Sequence, residues 1–442
     1  MPRDVANPLV VLLLAQLVLF VGVGAVIPVI PIYGKSFGLS SAVNGAVIGA
    51  PAIALLLLAR PSGGFADRAG RLPAMKIGMS IIVLSDLLTA SATELPALVL
   101  ARLGLGAGRC ISECGERGYL ADLASRAPEY RGEIVAAQQA VVALGIAIGS
   151  PLGGLAVESF GPRAAFLCVS AAALATLGIY ALLPETKPQL ATAGAPALPA
   201  APAVPAAPAA MASAESDGDT EGSAAAWSLL LQDGRWRGLA ACEVGLRVGF
   251  AAKVTSVPLI AAATLPGGAL AAGSLLSAAA LTGLVGAPLG GWLSDRRGAR
   301  FVAVAAGALS GGSFLLVPLA LSADLETWLG PSAHGLAFGA CVLVWSFGVA
   351  ALSPALTSVA QELAPEGAEA TALALPRAAG DGAYIVAPFA LGLLADQRPD
   401  VMGIECGVAG VVGLASALGL ALLARSGPES AAAASVRAAR RE

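Results

Sequence analysis

The sequence predicts an all-α membrane protein, with about twelve transmembrane helices in two pseudo-symmetric six-helix bundles. Three observations predict this class. Of the 442 residues, 57% are hydrophobic and only 12% charged, with a mean hydropathy of +0.80, whereas a soluble domain carries about 25% charged residues. Apolar runs recur at the length of about 20 residues that a bilayer-crossing helix needs. An Ala/Pro tract splits those runs into two groups that share local sequence.

The expected spans lie near residues 8–32, 39–62, 73–93, 95–124, 130–158 and 162–183, then 237–262, 268–293, 300–321, 333–362, 368–395 and 401–425. The run from Leu9 exceeds the apolar core of about 7–15 residues in a signal peptide, so it is read as a retained helix. Residues 184–226 break the pattern. They open Pro184-Glu185-Thr186-Lys187, pass through the Ala/Pro tract and end in an acidic patch, Glu215, Asp217, Asp219 and Glu221. Their prolines deny them a stable helix, so a disordered linker is expected. The domains are then an N-terminal bundle over 1–183, the linker over 184–226, a C-terminal bundle over 227–425 and a tail over 426–442.

Basic residues set the topology. One set of loops carries Arg68, Arg71, Lys76, Arg126, Arg131, Arg296, Arg297 and Arg300, and the opposite set only Lys35, Arg163 and Arg398. The positive-inside rule therefore places both termini and the linker in the cytoplasm.

Between the second and third runs stands Gly63-Gly64-Phe65-Ala66-Asp67-Arg68-Ala69-Gly70-Arg71, a short charged hinge. A looser copy, Gly291-Trp292-Leu293-Ser294-Asp295-Arg296-Arg297-Gly298-Ala299-Arg300, follows the eighth run. The fifth run ends Gly153-Gly154-Leu155-Ala156-Val157-Glu158, and the eleventh ends Leu391-Gly392-Leu393-Leu394-Ala395-Asp396. Pro184-Glu185-Thr186 has a counterpart in Pro428-Glu429-Ser430. On these motifs the chain resembles the major facilitator superfamily, whose signature follows the second helix and recurs after the eighth. The resemblance implies alternating access by two rocking halves. It also implies that Asp67 closes a cytoplasmic gate against the start of the eleventh helix. Gly63, Arg68, Gly70, Arg71, Arg131, Asp295 and Arg296 would belong to that gate. Asp67 and Arg71, four apart, match the spacing of an ion pair on one helical turn.

The fourth run is the most informative. At about 100° per residue, Arg102, Arg109, Glu113 and Glu116 fall within about 60° of one another, with Arg117 close by. A charge at mid-bilayer is costly, so this stripe should face a wet cavity or paired partners. Arg109–Glu113 and Glu113–Arg117 have ion-pair spacing. Arg102, Gly106 and Gly108 resemble the family's Arg-x-x-x-Gly-x-Gly pattern, whose arginine is tied to proton coupling in many antiporters. The seventh run adds Glu243, Arg247 and Lys253, and the eleventh Arg377, Asp381 and Tyr384. Asp86 is a lone acid in the third run. In the family plan, helices one, four, seven and ten line the cavity and the eleventh sits beside it. Gln16, Asn44 and Trp345 are candidate wall residues. Cations slightly outnumber acids in this set, which favours an anionic or zwitterionic solute over a lipophilic cation.

Gly145, Gly149, Pro151, Gly153 and Gly154 in the fifth run resemble the glycine-rich antiporter signature, with Ser150 in the proline position and Pro151 after it. Small residues there promote close helix packing. The first run ends Pro28-Val29-Ile30-Pro31-Ile32-Tyr33, similar to twelve-helix drug and tetracycline exporters.

The expected activity is proton-coupled efflux of a small organic solute by a monomer in a lipid bilayer. The alternatives are a facilitative or symport carrier of an anionic or zwitterionic metabolite, and a transporter-like receptor or scaffold. No enzyme motif, nucleotide loop, cofactor or metal site is expected, and the net charge of −3 gives no reason to expect a nucleic-acid partner.

Overall fold

The computed structural model describes residues 1–186, 234–323, 327, 333–363 and 369–423, and side chains throughout these except 369–375. The linker expected from residue 187 onward and the tail over 426–442 lie outside the described residues.

The N-terminal half comprises α1 (Arg3–Val26), α2 (Val29–Ser36), α3 (Ser41–Ala69), α4 (Arg71–Ser91), α5 (Leu95–Arg126), α6 (Arg131–Phe160) and α7 (Arg163–Tyr180). The C-terminal half comprises α8 (Gly234–Thr255), α9 (Val257–Thr264), α10 (Gly268–Arg297), α11 (Ala299–Leu315), α12 (Val317–Ala320), α13 (Ala333–Leu363), α14 (Glu369–Gln397) and α15 (Ile404–Leu423). Among the described residues, eleven helices are long and apolar enough to cross a membrane, and α8 with α9, bent by 41°, makes a twelfth if taken as one span.

Three expected continuous spans are therefore interrupted. The breaks fall at Ile27-Pro28, at Ser256 and at Leu316, the last two with Pro258 and Pro318 in the first turn that follows. Proline lacks the N–H of the helical ladder and clashes with the preceding turn, so each break has a local cause. The signature segment departs from expectation the other way. Gly63 to Ala69 are the last turns of α3, and the chain breaks only at Gly70, whose φ of 105° suits glycine.

Each half has its own core. Met75, Met79, Tyr119 and Leu123 are fully buried in the first, and Phe314, Phe338 and Val342 in the second. The halves meet along two seams, α3 against α14 and α6 against α10. Backbone contact there requires glycine. An added Cβ at Gly45 would overlap the Pro388 carbonyl, at Gly392 the Ser41 carbonyl, and at Gly273 the Ser150 carbonyl. Gly145, Gly149 and Gly153 instead hold α6 against Phe20, Val21 and Ala25 of α1, inside the first half. Gly154 alone of that stripe meets the other half, at Ala269, while Pro151 lies at the Gly273 contact.

Candidate substrate and coupling site

Helix α5 starts with Pro96 in its first turn, where a missing N–H costs nothing, and runs for 32 residues. Glu113 sits between two arginines on it. Arg109 Nη2 donates to its Oε1 at 2.8 Å, and Arg117 Nη2 to its Oε2 at 2.7 Å. Arg102, two turns earlier, is 5% exposed, and its Nε and Nη1 have no hydrogen-bond partner. Its electrostatic partner is Asp86 of α4, which is 2% exposed and has Oδ2 unpartnered. The two interact through space, and no contact ion pair joins them.

Glu116 does not share this environment, contrary to the stripe expected from spacing. It turns into the N-terminal bundle, where Tyr180 OH (2.7 Å) and Ser112 Oγ (2.8 Å) donate to Oε1 and Gln16 Nε2 (3.3 Å) to Oε2. Helices α1 and α7 thus supply two of its three donors. The expected wall residues Gln16 and Asn44 are likewise buried. Gln16 serves Glu116, and Asn44 Nδ2 donates to the Pro31 carbonyl at 2.9 Å. Trp345 stacks on Phe314 at 4.6 Å in the second core.

In the C-terminal half the ion pair crosses between helices. Arg247 of α8 meets Asp381 of α14, with Nη2 2.9 Å from Oδ1. The four-spaced pairs, Glu243 with Arg247 and Arg377 with Asp381, form no contact among the described residues. The reason is the approach at Gly380, where an added Cβ would lie 2.9 Å from Arg247 Cγ and 3.1 Å from the Glu243 carbonyl. That proximity lets Arg247 reach across rather than along its own helix. Glu243 keeps electrostatic contact with both Arg247 and Arg377. Lys253 Nζ lies 6.0 Å from the Phe250 ring and 5.5 Å from that of Trp345, within cation–π range. The Phe250 ring is 5.9 Å from Tyr384.

The two charged sets face each other. Tyr384 of α14 is in electrostatic reach of Arg102 and Arg109 from the first half and of Arg247 from its own. Arg377 likewise interacts with Arg117. Helix α14 is therefore a full contributor to the site, where the family plan put it beside the cavity.

At the signature end, Arg71 Nη1 is 2.6 Å from Asp67 Oδ1, and its Nε is 3.5 Å from Asp122 Oδ2. Glu185 accepts from the Arg71 amide at 3.1 Å and the Leu72 amide at 2.9 Å, which satisfies the first turn of α4. Thr186 Oγ1 donates to Asp122 at 2.8 Å, and Tyr119 OH to the Pro184 carbonyl at 2.9 Å. Asp122 and Glu185 are the residues that reading the sequence missed. The doubled Pro-Glu-(Thr/Ser) motif marks Glu185 as part of the repeat but not its partners, and nothing in the sequence marks Asp122. Arg68 is exposed, and Arg131, at the start of α6, makes no ion pair with this cluster among the described residues. The expected contact of Asp67 with the start of the eleventh helix falls where side chains are not described. Gly63 is buried in α3. The second copy does not repeat the pair. Four residues after Asp295 stands Ala299, where the first copy has Arg71, and Arg296 instead lies 4.2 Å above the Trp292 ring. Among the described residues no cluster could hold a metal ion.

The sequence profile of the Major Facilitator Superfamily matches residues 12–388 and 244–441. Multidrug resistance protein 2 of Bacillus subtilis (strain 168) is 30% identical over 165 residues, which are 37% of this chain and 40% of that protein. Quinolone resistance protein NorA of Staphylococcus aureus is 28% identical over 142 residues, 32% of this chain and 36% of that one. The chain thus spans less than half the length of these curated relatives. Among solved structures, a bacterial homolog to the human lysosomal transporter Spinster, inward-facing and unoccupied, is similar with a TM-score of 0.68, 18% identity and 96% coverage of each chain. A POT family transporter in complex with 5-aminolevulinic acid is similar with a TM-score of 0.65 and 13% identity, covering 93% of this chain and 95% of that one.

Proposed function

The chain belongs to the major facilitator superfamily of secondary transporters, and on that premise we propose that it exports a small organic solute in exchange for protons. The observation that carries this reading is the pair of charged sets facing each other across the halves, on α5 and on α8 with α14. An ionised side chain at the bilayer centre costs about 2.5–3.5 kcal/mol on insertion scales, so such sets are kept where they handle charge. Limited similarity to multidrug and quinolone resistance proteins supports efflux.

In this reading Arg109, Glu113 and Arg117 form the coupling triad, and Asp86 beside Arg102 is a second protonatable position. Glu243, Arg247, Lys253, Arg377, Asp381 and Tyr384 form the opposing wall. Asp67, Arg71, Asp122 and Glu185 stabilise the end of the molecule that the basic loops assign to the cytoplasm. The test is flux in proteoliposomes with and without an imposed pH gradient, with a panel of organic solutes. Gradient-driven flux is expected in the wild type and lost in Glu113→Gln while insertion is retained. Equal flux with and without the gradient would replace antiport by facilitated diffusion.

One observation favours a second reading, a carrier of an anionic or zwitterionic metabolite. Arg102 Nε and Nη1 and Arg247 Nε are buried without acceptors. Buried guanidinium donors without partners are costly and suit an acidic group on the solute. Deleting residues 190–222 should spare flux under either transport reading and abolish activity only for a scaffold.

A further inference from the structure

Two carboxylates at one end of the molecule each reach from one half into the other. Asp396, at the end of α14, accepts from the Ser41 amide through Oδ1 and from the Ala42 amide through Oδ2, both at 2.8 Å. These are first-turn amides of α3. Glu158, at the end of α6, accepts from the Leu270 amide of α10 at 3.0 Å through Oε1. The first four amides of a helix have no partner within it. The N-cap of helix α10 is Gly267, which has no side chain to offer, so an acceptor comes from the other half. Helix α3 has Ser40, whose Oγ accepts from Val43 at 3.3 Å, and Asp396 takes the amides Ser40 leaves.

The two contacts are counterparts in sequence as well as in space. Glu158 closes the Gly153-Gly154 segment and Asp396 the Leu391-Gly392 segment, the ends already matched between the halves. Beside each carboxylate a glycine, Gly154 or Gly392, lets the backbones touch. Ser277 Oγ adds a bond to the Ala147 carbonyl at 2.6 Å along the same seam. The two carboxylates lie at the end remote from the signature segment, and the Ser277 bond lies deeper along the same seam.

We propose that Glu158 and Asp396 are a two-fold latch that holds this end closed and so sets the equilibrium between the two access states. The latch rests on the alternating-access reading above. Separating the halves here hands the Ser41, Ala42 and Leu270 amides to water and strips each carboxylate of a charge-assisted bond at a helix N-terminus. Both residues are positioning residues. They touch no solute and act by weighting one conformation against the other. Because they sit on separate seams, their effects multiply.

The test uses the full chain with spin labels at Thr93→Cys and Met402→Cys, one on each half at this end, in a background whose native cysteines are replaced. Asp396→Ala and Glu158→Ala should each raise the population with long label separation by about 3- to 10-fold, and the double variant by about the product. Asp396→Asn, which keeps an acceptor oxygen, should fall between wild type and Asp396→Ala. A second readout keeps the native cysteines. Deuterium uptake over 145–153 and 385–392, seam segments that contain none of the capped amides, should rise in the double variant. A helix cap and nothing more would raise uptake only near 41–46 and 270–275. Unchanged label distances, or uptake confined to those two capped segments, would overturn the latch. Both measurements need no solute, so they stand apart from failure of the antiport reading, which shows as flux without gradient dependence.

Discussion

The two halves solve the same electrostatic problem differently. In the first, the acid that pairs with Arg109 and Arg117 lies on their own helix, as Arg109, Glu113 and Arg117 succeed one another on α5. In the second, arginine and acid lie on different helices, Arg247 on α8 and Asp381 on α14. A triad within one helix keeps its geometry when that helix moves as a rod. A pair between helices depends on how closely the two pack, and here on Gly380. The first arrangement suits a charge-carrying unit that travels intact, and the second a contact that registers movement of α14, the helix shared by the site, the α3 seam and the Asp396 contact.

The largest expected effect tests the first arrangement. Glu113→Ala leaves two arginines at membrane depth without their acid; the three side chains are partly exposed, so what is lost is charge balance facing the site rather than a buried pair. Coupled flux should fall by about 100-fold or more. Flux within a few-fold of wild type would mean that the triad is scaffolding. The next effect tests the second arrangement. Asp381→Asn should reduce flux by about 10- to 100-fold, since its carboxylate is the contact partner of Arg247. The exchange Arg247→Asp with Asp381→Arg should recover part of that loss, because the pair spans two helices and either direction can form. An exchange no better than the single variant would show that Arg247 or Asp381 has a role beyond the other.

A smaller effect separates core from site. Glu116 is held by Tyr180, Ser112 and Gln16 inside the first bundle. Glu116→Gln replaces one acceptor oxygen by a donor, so some of those donors lose their partner, at a cost of about 1–3 kcal/mol. The thermal midpoint should drop while the gradient dependence of flux stays that of wild type. A lost gradient response with an unchanged midpoint would return Glu116 to the coupling group.

Much of this was legible from the chain. Hydropathy and length located the spans, because a membrane helix has to be apolar for its whole crossing. Spacing located the Glu113 triad, because residues four apart on one helix are neighbours; the Asp67–Arg71 pair has the same spacing but forms across the break at Gly70, between the end of α3 and the start of α4. Spacing failed where a tertiary neighbour competes. Arg247 leaves Glu243 for Asp381, since close packing at Gly380 places a second acid within reach. Glu116 shares the angular sector of Glu113 but points to α7, because a sector of about 60° covers both the inner wall and the flank of a helix. Glu185 was missed because its partners are the backbone amides of α4, which no side-chain pattern advertises.

The smallest effect uses a pair outside the spans as the baseline for those inside. Beyond α14, Arg398 Nε lies 3.1 Å from Asp400 Oδ1, and both residues are exposed. The guanidinium hydrogen bond holds the Asp400 carboxyl below its ordinary pKa. A depressed acid contributes its stability above the unfolded pKa and loses it as pH falls through the lower folded value. Full exposure lets water screen that contribution. Asp400→Asn should therefore leave the thermal midpoint unchanged at neutral pH and flux unaffected. Set beside Asp381→Asn, the same chemical change at similar ion-pair distance then isolates what position contributes. If Asp400→Asn impaired flux as much as Asp381→Asn, loss of a carboxylate would matter wherever along this segment it stood, and the contrast between a pair in the site and a pair in water would fail.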